Sequence, residues 1–180
     1  MKALPLLAYA FAVIMLGTTA PTPLYALYAS RMGFSVLTTT FVYAAYASGV
    51  LFALLVFGRW SDAIGRRPVL MAGAVFAIAS AAVFLSADSV PTLLLGRILS
   101  GLSAGVFTGT ATAAVIEAAP PRWRTQAAAV ATVANIGGLG VGPLLAGLLV
   151  QYAAWPLHLI FIVLIVLTAL AAVAVLIVPE

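Results

Sequence analysis

Apolar residues do not alternate with polar ones along this chain; they run in six blocks of about 20 residues or more, parted by brief polar interruptions. Runs of that length suit helices crossing a hydrocarbon layer about 30 Å thick, whereas the strands of a membrane barrel would show short alternating segments. The pattern predicts helices over 4–29, 35–57, 68–87, 90–116, 125–152 and 155–178. Each boundary carries its own punctuation, from Arg31 to Gly33 after the first helix to Ala154, Trp155 and Pro156 before the last. Pro21 and Pro23 predict a kink in the outer part of the first helix. Gly101, Gly105 and Gly109 recur at every fourth residue of the fourth helix, and Gly138, Gly142 and Ala146 do so in the fifth. Such flat stripes let another backbone pack closely.

Composition narrows the class further. The chain is 65% hydrophobic and 7% charged over 180 residues, with a mean hydropathy of +1.24, against about 25% charged residues in a soluble domain. Six spans with short connections use up its length, so no soluble catalytic domain fits beside them. With no cysteine, disulfide frameworks and thiolate chemistry are excluded. The spans carry no clustered acids, paired histidines or activated nucleophile, so neither an enzyme nor a cofactor is expected. His158 stands alone beside Trp155, which gives no metal site. Met1 and Lys2 followed by apolar residues to Ala20 have the look of a secretory signal; Thr18-Thr19-Ala20 is a poor cleavage site, however, and an uncleaved first helix is the better reading.

The net charge of +4 matters less than its placement, which points to membrane topology and not to nucleic acid. Lys2, Arg59, Arg66, Arg67, Arg122 and Arg124 fall on the face shared by the amino terminus and the loops after helices two and four, and Arg31 alone falls opposite. Short basic loops stay cytoplasmic, so both termini are expected there, in a cell inner or plasma membrane. Arg97 belongs to no loop. It lies about 10 Å along helix four at 1.5 Å per residue, where its charge costs about 2.5–3.5 kcal/mol on insertion scales if it is central. It either snorkels to the headgroups or faces water, a partner or a substrate.

The loop from Gly58 to Leu70 is the most specific signal. Gly58 and Gly65 allow tight turns, Asp62 can cap a helix, and Arg66 and Arg67 can pair with an acid, of which Glu117 at the end of helix four is the nearest on that face. On chemistry alone it is a basic turn that fixes topology. Its pattern GxxxDxxGRRxxL resembles the signature loop of the major facilitator superfamily. Two further elements are similar to that family's: Arg97 to Gly101 resembles RxxxG of the fourth helix, and Gly138, Gly142, Pro143 and Gly147 resemble GxxxGPxxGG of the fifth, with Ala146 and Ala129 in place of glycines.

The resemblance covers the whole chain and implies an all-α integral membrane protein, residues 1–180 forming the amino-terminal six-helix half of the family's transporter fold. It implies that Gly58, Asp62, Gly65, Arg66, Arg67 and Glu117 form a cytoplasmic latch, and that Arg97 and Gly101 serve the cavity or coupling. The helix-five element is associated in the family with antiporters and with contact to the other half. No acid lies within helices one, two, five or six, which departs from the usual embedded carboxylate of proton exchange. Tyr25 and Asn135 are candidate substrate contacts. The carboxy-terminal half is absent from the chain, so a fragment of a longer polypeptide is expected, with a half-size protein that pairs with a second copy as the alternative. The expected activity is secondary transport of small solutes by alternating access, as proton-coupled efflux of drug-like or amphipathic solutes. Uptake of a sugar or organic acid, or a half-bundle that modulates a full transporter, are the competing readings; membrane lipid is a partner in every case.

Overall fold

A computed structural model describes residues 3–57 and 60–178, without the side chain of Asp62. Gly58 lies outside the described residues. The helices are α1 (Ala3–Thr19), α2 (Tyr25–Met32), α3 (Val36–Phe57), α4 (Trp60–Ile64), α5 (Arg66–Leu85), α6 (Val90–Glu117), α7 (Arg124–Tyr152) and α8 (Pro156–Ile177). Among the described residues, six helical segments are long and apolar enough to cross a membrane, the first being Ala3–Met32.

That first span corrects the expectation of one kinked helix over 4–29. It breaks into α1, a 3-10 turn over Thr22–Leu24, and α2. The cause is chemical: neither Pro21 nor Pro23 has an N–H, so the carbonyls of Gly17 and Thr19 lose their donors four residues on. The loop after α3 also differs from expectation, since α4 occupies part of it. α5 starts at Arg66, two residues before the predicted boundary, because Gly65 at φ 95° makes the left-handed turn and Pro68 falls in a first helical turn that needs no N–H bonds. Arg66 and Arg67 are therefore helical and not part of a loose loop. α6 begins on a reciprocal cap in which the Ser89 N–H donates to Thr92 Oγ1 at 3.2 Å.

α6 is the centre of the bundle and packs against α1, α3, α5 and α7, while α8 lies against α1, α5 and α7. Phe11, Leu70, Phe107 and Val115 fill the core at one end, and Leu24, Tyr28, Phe84 and Phe161 fill it at the other. Serine hydroxyls tie helices where side chains are small: Ser103 donates to the Gly73 carbonyl and Ser80 to the Gly96 carbonyl, each at 2.8 Å. The outer faces of α3 and α7 stay uncovered. Leu51, Phe52 and Leu55 on α3, and Val133, Ile136 and Leu144 on α7, are all exposed.

Candidate functional site

Two polar constellations stand at different depths of the bundle. At the end that holds both described termini, Ala3, Arg66, Arg67, Glu117 and Val178 line one cleft of about 320 Å³. Arg66 binds Glu117 with two parallel bonds, Nε donating to Oε2 at 3.2 Å and Nη2 to Oε1 at 2.9 Å, and its Nη1 donates to Ser61 Oγ at 2.7 Å. Arg67 takes a different partner, donating from Nη2 to the Leu176 carbonyl in the last turn of α8. A cation there meets free carbonyls and the negative end of the helix dipole. Of the predicted latch residues, the structure thus joins Arg66 to Glu117 and sends Arg67 elsewhere; Asp62 lies on α4, and its side chain is outside the described residues.

The side chains of Arg66 and Glu117 are 28% and 55% exposed, so solvent screens the pair, and its contribution to stability is below about 1 kcal/mol. A contact that weak is suited to exchange. Reversing either charge alone, Arg66→Glu or Glu117→Arg, is expected to lower the melting temperature in detergent by no more than about 4 °C, and the double swap to restore most of it. Melting curves of the three variants check this, and double reversal without recovery would mean that the two side chains do not pair.

Deeper in the bundle, Arg97 of α6 is only 2% exposed. It neither snorkels nor opens to a cavity. Its Nη1 donates to the Thr18 carbonyl at 2.7 Å, and Nη2 reaches Thr22 Oγ1 at 3.4 Å. The guanidinium lies over three tyrosine rings, with centroid distances of 5.0 Å to Tyr25, 5.7 Å to Tyr43 and 5.3 Å to Tyr46. No carboxylate is needed for this arrangement. The break after Thr19 exposes the last carbonyls of α1, so a helix end placed inside the bundle supplies the negative potential that an acid would otherwise supply. Arg97 Nε and the buried Tyr25 hydroxyl have no hydrogen-bond partner among the described residues. Tyr43, 42% exposed and edge-on to Tyr25 at 5.5 Å, covers the cage from α3. Tyr25 is thus closed off behind Tyr43, not open to a solute as a direct contact.

The glycine stripes divide between two uses. Gly101 and Gly105 of α6 seat the backbone of α3: a Cβ on Gly49 would come within 2.6 Å of the Ile98 carbonyl, and one on Gly105 within 2.7 Å of the Val50 carbonyl. Gly101 therefore packs against α3 and faces no cavity. On α7, a Cβ on Gly138 would strike the Ala12 carbonyl, and one on Gly142 the Leu16 carbonyl and Thr19 Oγ1. The Gly138–Gly142–Ala146 stripe is consequently occupied by α1 of the same bundle, which corrects the expectation that it waits for another half. Pro143 takes part through what it lacks. Without its N–H the Leu139 carbonyl has no helical donor, and Thr19 Oγ1 of α1 donates to that carbonyl at 2.9 Å. Gly109, Gly137, Gly140 and Gly147 meet open space, and Asn135 is half-buried on the same helix as the last three.

Sequence reading missed Thr18, Thr19, Tyr43 and Tyr46 as members of these sites. The available signal was the pair of prolines at 21 and 23, which between them remove two helical bonds and make donors near Thr18 and Thr19 valuable.

A family model described as Major Facilitator Superfamily matches residues 7–180. The chain is 36% identical over 98 residues to the class E tetracycline resistance protein of Escherichia coli, covering 54% of this chain and 24% of that one. It is 33% identical over 119 residues to the MFS-type transporter pydD of Acremonium sp, covering 63% of this chain and 21% of that protein. It is 34% identical over 112 residues to Sugar transport protein 5 of Arabidopsis thaliana, covering 62% and 21% respectively. The matches thus span 21% to 24% of the length of these relatives.

Proposed function

The chain belongs to the Major Facilitator Superfamily, and on that premise we propose that it forms the amino-terminal bundle of a secondary transporter that exports drug-like or amphipathic solutes in exchange for protons. It is a multi-pass membrane protein of six apolar helices. The observation that carries the reading is the caged Arg97: a full charge held at a helix break, bound by a carbonyl and covered by a partly exposed ring, can change partners when the bundle rocks. The similarity to a tetracycline resistance protein and the helix-five glycines support export. The similarity to a sugar transport protein supports the second reading, uptake of a sugar.

In this proposal the Arg66–Glu117 end is cytoplasmic, as the basic loops require, and the uncovered faces of α3 and α7 meet a second six-helix bundle across the solute path. That bundle is supplied by the same polypeptide or by a second copy. Protons would be exchanged on a carboxylate from that second bundle, since α1, α3, α7 and α8 offer none. Counterflow in proteoliposomes of the complete protein tests the reading. A pH gradient, inside acidic, is expected to drive uptake of a lipophilic cation into vesicles of inverted orientation; flux indifferent to the gradient, with sugar counterflow instead, would establish the second reading.

The open glycines of α7 allow a separate check. A Cβ added at Gly140 meets nothing within 4 Å, so Gly140→Leu is expected to leave thermal unfolding in detergent within about 2 °C of the wild type. Transport is expected to fall at least about 10-fold, because the added side chain occupies a face meant for close helix contact. Unchanged flux would place that face against lipid.

A further inference from the structure

Between the broken first span and α5, α6 and α8 lies an interior cavity of about 20 Å³, lined by the hydroxyl residues Thr18, Ser80, Ser100, Ser103 and Thr168. All five are buried. Of the eight buried polar or charged residues that stand beside the apolar core among the described residues, these five, from four helices, surround one small space. Three of them are engaged at close range: Thr18 Oγ1 donates to the Met15 carbonyl at 2.7 Å, and Ser80 and Ser103 donate to the carbonyls of Gly96 and Gly73, each at 2.8 Å. Ser100 and Thr168 are different. Among the described residues, neither hydroxyl has a hydrogen-bond partner. Gly17 lines the same cavity, and its carbonyl is the one that Pro21 cannot serve.

We infer that this cavity is a binding site for one water molecule, built into the bundle and bridging Ser100 of α6 to Thr168 of α8. Its size favours this, since one water needs about 10–15 Å³ and two to four polar partners, and a second would not fit. The chemistry favours it too. Two hydroxyls and a carbonyl denied its helical donor require both a donor and an acceptor, which water is and a metal ion is not. A sodium ion would also sit beside Thr18, whose carbonyl already holds the Arg97 guanidinium, with no carboxylate lining the cavity to balance the charge. The water ties the break in the first span to α8 and so braces the turn that presents the Thr18 carbonyl to Arg97.

Crystals of the complete protein that diffract well enough to show ordered solvent test this directly. One peak is expected within hydrogen-bond distance of Ser100 Oγ and Thr168 Oγ1, unchanged when sodium is replaced by choline, and no xenon is expected there under pressure. A xenon peak would mean a dry cavity, and loss of the peak on removal of sodium would mean a cation; either overturns the assignment. The Ser100→Ala/Thr168→Val pair is expected to abolish the peak and lower the melting temperature in detergent by about 2–4 °C. Should that pair fail to fold, the solvent and xenon maps of the unaltered protein still decide.

Discussion

Arg97→Met is expected to abolish most transport while leaving thermal stability nearly unchanged. Two opposed effects give the second half of that result. Removing the guanidinium loses a charge-assisted bond to the Thr18 carbonyl, worth about 1.5–3 kcal/mol, together with the stacking over Tyr25, Tyr43 and Tyr46. It also removes a charge whose burial in an apolar helix costs about 2.5–3.5 kcal/mol. Methionine fills similar volume without a charge, so the two come close to cancelling and the melting temperature moves little. Transport has no such compensation. If the partner exchange of Arg97 is part of the conformational step, loss of that single bond slows it by about 10- to 100-fold. Arg97→Lys keeps the charge but lacks the planar fork, and should recover only part of the flux. Initial rates of counterflow beside melting curves for both variants check the pair of expectations. A large fall in melting temperature with flux reduced only in proportion to folded protein would make Arg97 a structural residue.

The second large effect is expected at a glycine with no chemistry of its own. Gly101→Val places a Cβ against the carbonyl of Tyr46 and the backbone of Val50 and Gly49, none of which can move aside as a flexible side chain would. Helices α3 and α6 must separate, and overpacking of this kind costs about 3 kcal/mol. At about 2–4 °C per kcal/mol for a chain of this size, the melting temperature in detergent should fall by about 6–12 °C. Gly109→Val is the control, two turns further along the same helix, where an added Cβ meets nothing within 4 Å. It should cost less than about 1 kcal/mol. Equal losses for the two variants would show that the α3–α6 approach is not what Gly101 serves. The same logic extends to Thr19→Val, which leaves the Leu139 carbonyl without its donor and should cost about 1–3 kcal/mol if no other group moves in.

The expectations for Arg97 and Thr19 depend on where the first span breaks, and that is where sequence and structure part company. The stretch with Pro21 and Pro23 reads as a kink, because proline in a membrane helix is commonly absorbed by bending. With Pro23 two residues later, two carbonyls lose their donors in succession and the helix ends. The consequence for Arg97 could not be read from the chain, since Thr18 lies 79 positions away in sequence. The fifth-helix glycines show the same limit in reverse. Their spacing announces close packing, but not with whom; the resemblance pointed to a second bundle, and the fold placed α1 there.

What the sequence determined by itself is what periodicity, hydropathy and short-range chemistry can carry: six lipid-crossing helices, the loop that joins the second to the third, and a cation within a span whose surroundings stayed open. Apolar length decides the spans because an unpaired backbone group in lipid costs too much for any other arrangement. Tertiary structure alone decided which partner each polar group found. Arg66 went to Glu117, Arg67 to a helix end and Arg97 to another, because those pairings depend on how rods cross and on carbonyls left without helical donors where a helix ends.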